Sequence, residues 1–167
     1  MNQTQVHKDI LCWIETFVEV PHPALGGWPP CPFARSARLK NTIAVLVGTD
    51  PYEDLKNRCK QGMENYEVVV YAYDPVAWPY EMFSKSLESA NHEFLNHHDL
   101  IALEDHPSDI EIVNGITMNQ GTYALALVQP LADLNHKAVS MAAKGFYNTW
   151  PEEYLKVLFK HRIDPRA

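Results

Sequence analysis

Apolar positions recur at helical spacing near the start of the chain. Ile10, Leu11, Trp13, Ile14, Phe17 and Val18 form one broad face and predict an amphipathic helix over residues 7–19, with Cys12 beside that face. Residues 20–31 break the pattern with four prolines and two glycines and predict a loop. A second helix is expected over 32–40, and the β-branched run at 42–47 reads as a strand buried on both faces. Asp50-Pro51 supplies a cap and a first helical residue, with Tyr52, Leu55 and Cys59 on the inner face of the helix that follows and Gly62 as its stop.

The clearest strand is 66–73, ended by Asp74-Pro75. A long helix over 79–96 turns Phe83, Leu87, Ala90 and Phe94 inward. A third strand, 100–103, ends in Glu104-Asp105-His106-Pro107. Residues 108–121 carry no clear period, with a short strand at 110–113 as one reading. A fourth strand is expected at 123–128 and a helix at 131–144. A last helix opens at Thr149-Trp150-Pro151-Glu152, which has capping-box spacing, and is anchored by Tyr154, Leu155, Leu158 and Phe159. His161 and Arg162 suit its negative end.

Strands alternating with helices predict an α/β sandwich, with a mainly parallel sheet of four or five strands and flanking helices. The illegible segment could add an antiparallel pair. Across 167 residues this reads as one domain, 1–167, large enough for its own core.

Charge and composition narrow the partners. The net charge is −7 with no basic stripe, which argues against nucleic acid and against anionic membrane surfaces. No apolar run approaches the ~20 residues of a membrane span, and the N-terminus lacks a signal-peptide pattern, so a cytoplasmic protein is expected. Cys12, Cys31 and Cys59 are too few and scattered for a disulfide framework. No glycine-rich phosphate loop follows any strand.

Cys31 carries the candidate chemistry. In Pro29-Pro30-Cys31-Pro32-Phe33-Ala34-Arg35, Pro32 suits a first helical position and Cys31 becomes the N-cap. Backbone N–H groups and the helix dipole would then point at the sulfur and favour its thiolate. Arg35, four residues on, and Arg38 are candidate anion-stabilising groups. His106, beyond a strand end, is a candidate base; an exposed loop histidine beside a proline is the bland alternative. Asn119 is a candidate side-chain amide for the same cleft. His92, His97 and His98 close a helix, but a five-residue gap does not make a metal pair, so no metal site is assigned.

Cys31-Pro32-Phe33-Ala34 with Arg38-Leu39 resembles the active-site helix start of omega-class glutathione transferases. That resemblance implies a thioredoxin-like fold and a cysteine that forms mixed disulfides with glutathione. There a strand leads into the cysteine, where this chain has a Pro/Gly loop. The order of features also resembles a family of uncharacterised bacterial proteins with a Cys-Pro-Phe-Ala motif and a later His-Pro, here His106-Pro107. An Asn-rich stretch, here Asn114 to Asn119, then leads to a strand and helix. The Asn-Arg-Ser-Pro-like run of that family is replaced here by Met118-Asn119-Gln120-Gly121-Thr122-Tyr123. This second resemblance implies a site without naming its reaction.

The residues thus point to a thiol-based redox or nucleophilic site acting on a small molecule or a thiol, with Cys31, Arg35, Arg38, His106 and Asn119 as its residues. Cofactor and oligomeric state are not legible. Two other classes stay open. One is a metal- or haem-binding protein using Cys31 with His22 or His106. The other is a non-catalytic interaction module whose contact surface is the Trp28 loop.

Overall fold

The computed structural model describes residues 1–167. Helix α1 (Gln3–Trp13) continues through a π turn at Ile14–Val18. It begins earlier than its main apolar face suggests because Asn2 caps it, accepting the Gln5 N–H at 3.0 Å, and because Val6 adds one buried turn. Helix α2 is short (Ala34–Leu39). Strand β1 (Ile43–Val47) leads to α3 (Pro51–Gln61), capped as expected by Asp50, whose side chain accepts the Glu53 N–H at 3.1 Å. After β2 (Val68–Tyr73), α4 (Tyr80–Ala90) runs on through a π turn at Asn91–Leu95 and a 3₁₀ turn at Asn96–His98. Asp99, at φ 57°, takes the left-handed conformation that ends it. Then come β3 (Leu100–Asp105), the ribbon of β4 (Ile112–Val113) and β5 (Ile116–Thr117), β6 (Ala124–Pro130), α5 (Leu131–Ala143) and α6 (Glu152–Leu158).

The fold is α/β with four strands in the order β1-β2-β6-β3. The sheet is mixed, not mainly parallel. β1 and β2 are parallel, but β6 lies between β2 and β3 and is antiparallel to both. Residues 106–123 turn the chain back after β3, which lets an antiparallel neighbour form without a crossover helix. The illegible segment does contain an antiparallel pair, β4 with β5, but as a separate ribbon. Two further expectations are corrected. β1 is an edge strand with only Val45 buried. The capping box before α6 does not form: Pro151 takes the cap position, and the Thr149 carbonyl accepts the Asn114 amide at 2.7 Å.

Alternation along the strands divides the core. Val69, Tyr71 and Tyr73 face Leu55 of α3 and Phe83 and Leu87 of α4. Val70, Ala72 and Leu125 face Val6, Ile10 and Ile14 of α1 and Ala34 of α2. A third cluster, around Leu25, Met141, Phe146, Trp150 and Leu155, joins α5 and α6 to the predicted loop and to β4. No helix is long and apolar enough to cross a membrane.

Both edges of the sheet are closed by a side-chain amide. On β1, Gln3 donates to the Val45 carbonyl and accepts the Val47 N–H, each at 2.8 Å. On β3, Asn91 donates to the Ala102 carbonyl at 2.9 Å and accepts the Ala102 N–H at 2.8 Å. Each amide imitates one residue of a further strand and blocks pairing there.

Candidate functional site

Cys31 sits where α1, α2 and the proline loop meet. Its own N–H is held by the Val18 carbonyl at 3.0 Å. It is not the N-cap of α2. Phe33 takes that position, and residues 31–34 close a turn through the Ala34 N–H and the Cys31 carbonyl at 3.3 Å. Pro32 therefore lies ahead of the helix. The amides of Phe33 and Ala34 do reach the sulfur, and Lys137 of α5 adds a positive charge nearby. These favour the thiolate, yet burial outweighs them and pushes the Cys31 thiol up. No strand leads into the residue.

The groups expected around that sulfur are engaged elsewhere. Arg38 grips Glu19 with a two-pronged fork, Nε to Oε2 at 2.8 Å and Nη2 to Oε1 at 2.7 Å. Arg35 is exposed on the outer side of α2. His106 is 1% exposed, not a solvent-facing loop residue. Its Nδ1 accepts the Ser108 N–H at 3.0 Å, which places the ring proton on Nε2 for the Trp78 carbonyl at 2.8 Å. The ring packs on Phe83 and Tyr80, on the α3/α4 face of the sheet. Cys31 packs on the opposite face, so the two form no pair. Asn119 accepts the Glu111 N–H at 2.7 Å and donates to Asp105 and to the carbonyls of His106 and Asp109, which fixes the turn after β3.

The remaining candidates have local roles. His22 accepts the Ala24 N–H at 3.1 Å and caps a 3₁₀ turn. Trp28 lies edge-on to Phe146 at 5.9 Å, pinning its loop to the third cluster. No group of three or more His, Cys, Asp and Glu side chains has the arrangement of a metal site.

The structure assembles a different site along the outer edge of the sheet, at β3. A cleft of about 480 Å³ runs there, walled by Trp13 and Phe17 of α1, Tyr80 of α4, Leu103 of β3, Met118 after β5 and Leu158 of α6. That volume lies in the range of small-molecule sites, about 300–1,000 Å³. Glu104, Asp105, Glu111, Tyr154 and Arg162 also line it.

Its carboxylates differ in how they are held. Asp105 is fully engaged, Oδ1 by Asn119 at 2.8 Å and Oδ2 by the Gln120 N–H at 2.8 Å. Glu104 has one partner, the Ser84 hydroxyl, which donates to Oε1 at 3.1 Å, and burial raises its carboxyl. Glu111 also has one, the Tyr154 hydroxyl, which donates to Oε2 at 3.2 Å. Burial, followed by repulsion from Asp105, Asp109 and Glu104, pushes Glu111 up to about 7. Burial, and after it the same carboxylate, raise the Tyr154 phenol.

No protein-family model, no curated protein and no solved structure matches this chain. The site rests on its geometry. The sequence pattern shows Glu104 and Asp105 only as a strand end, and it places Tyr154 among core anchors and Arg162 as a helix-end charge. Glu111 falls in the stretch without a period. Its one local sign is an acidic residue between Ile110 and Ile112, where strand alternation turns it to the face opposite both.

Proposed function

We propose that the chain binds a small organic molecule in the β3-edge cleft, with Glu111 exchanging a proton with it as general acid or base. The observation that carries this reading is a half-buried carboxyl, held by one phenol and crowded by the carboxyls of Asp105, Asp109 and Glu104, in a cleft with aromatic walls. A carboxyl with that environment changes protonation near neutral pH, where proton transfer is most effective. Asn119 and Asp105 support it by fixing the turn from which Glu111 projects. The test is amide chemical-shift mapping with a set of small aromatic compounds. Binding should move Leu103, Glu111, Met118 and Tyr154 together and weaken in Glu111→Gln. Shifts gathered elsewhere on the molecule would overturn the proposal.

A thiol-based reaction at Cys31 is the second reading, favoured by the two amides and the Lys137 charge near its sulfur. It requires Cys31 to be alkylated faster than the exposed Cys12 at neutral pH. Slower alkylation removes it.

A further inference from the structure

The charged groups of the cleft are unpaired in a way that describes a ligand. Arg162 follows α6 and is half-buried on the cleft wall. Its Nε reaches the Asn135 Oδ1 at 3.4 Å, and its guanidinium lies over the Phe159 ring at 4.9 Å. No carboxylate pairs with it, and its two terminal nitrogens have no protein acceptor, whereas Arg38, Arg58 and Arg166 each have an acidic partner. A partly desolvated guanidinium without an anion is costly unless a ligand supplies one, and its planar fork matches a carboxylate. In the same cleft Glu104 and Glu111 each keep one carboxylate oxygen free of protein donors. Neither forms an ion pair with Arg162. Anion-seeking and cation-seeking groups therefore line one cavity, together with apolar side chains, without neutralising each other.

We infer that the cleft takes a zwitterion of the α-amino-acid type with an apolar side chain. Arg162 binds its carboxylate, Glu104 and Glu111 receive its ammonium, and Phe17, Leu103 and Met118 cover its body. This rests on the reading of the cleft given above and adds the ligand class. A ligand of that kind satisfies both sets of charges at once. A simple amine leaves Arg162 unpaired, and a simple acid leaves the two glutamates without a cation.

Calorimetric titration of the full chain at neutral pH with three probes tests it: L-phenylalanine, phenethylamine and 3-phenylpropionate. L-Phenylalanine should bind at least about tenfold more tightly than either relative, a difference of about 1.4 kcal/mol. Arg162→Gln should reduce L-phenylalanine to the level of phenethylamine and leave phenethylamine unchanged. Glu104→Gln should weaken both amines and spare 3-phenylpropionate. Arg162→Lys keeps the charge without the fork and should fall between, and thermal melting of each variant separates lost binding from lost folding. Equal affinities for L-phenylalanine and phenethylamine, or no binding of any probe at millimolar concentration, would overturn the inference. Phenethylamine binding that shifts Tyr154 and Met118 would still leave the proposed cleft standing. Shifts away from the cleft would remove both.

Discussion

Replacing Glu111 by glutamine separates the charge of this residue from its shape. Glutamine keeps the length and an oxygen that can accept the Tyr154 hydroxyl, now 3.2 Å from Glu111. What it removes is the ionised form. In the unfolded chain a glutamate titrates near about 4.3, whereas in the fold burial and its acidic neighbours hold Glu111 up to about 7. Between these values the native state binds more protons than the unfolded state, so stability falls as pH rises through the window. With about 1.4 kcal/mol per tenfold in proton affinity, the ceiling is about 3–4 kcal/mol. The side chain is only half-buried, and solvent screening reduces the effect to about 1–2 kcal/mol. Glu111→Gln should therefore match the wild type only below about pH 4 and exceed it by about 1–2 kcal/mol above about pH 8, a rise in Tm of about 3–6 °C for a chain of this length. Urea unfolding at a series of pH values measures it. A stability difference that does not change with pH, or a less stable variant at high pH, would refute the reasoning.

Three further outcomes follow from the geometry. Asn91→Ala uncovers the Ala102 N–H and carbonyl on the edge of β3, so it should cost about 1–3 kcal/mol. It should also raise self-association in sedimentation, because the strand edge is freed. His106→Ala empties a buried site and strands the Trp78 carbonyl and the Ser108 N–H, at a cost of about 2–4 kcal/mol in urea unfolding. It should leave the labelling rate of Cys31 as it was, and a change in that rate would revive a Cys–His pair. In iodoacetamide labelling followed by mass spectrometry, Cys12 should react first and Cys31 should lag it at neutral pH, since burial raises the Cys31 thiol.

Local signals were legible where one residue decides them. Asp50-Pro51 marks the start of α3, and the π and 3₁₀ turns after α4 keep the single inward face that Phe83, Leu87 and Phe94 announce. The pairing of β6 was not legible. Whether the run Ala124–Val128 enters beside β3 in parallel or antiparallel depends on the return path of residues 106–123, which has no period of its own. An apolar run such as Ile43–Val47 looks the same at an edge as at the centre of a sheet, and here Gln3 rather than another strand covers it. Cys31 was legible as a residue near a helix start, and the amides of Phe33 and Ala34 do reach it. Its three-residue offset from the helix and its degree of burial depend on tertiary packing. The cleft draws Glu104, Glu111, Tyr154 and Arg162 from a strand end, a ribbon and the far end of the chain, so no local spacing reports it.

A pH titration of the Glu111 side-chain carboxyl, followed by carbon-13 NMR of the intact chain, reads the central group directly. A midpoint raised from the ordinary glutamate position toward about 7 by burial and by Asp105, Asp109 and Glu104 is expected. A midpoint at the ordinary glutamate position of about 4.3 would mean that the carboxyl is freely solvated, and the acid–base cleft would not exist.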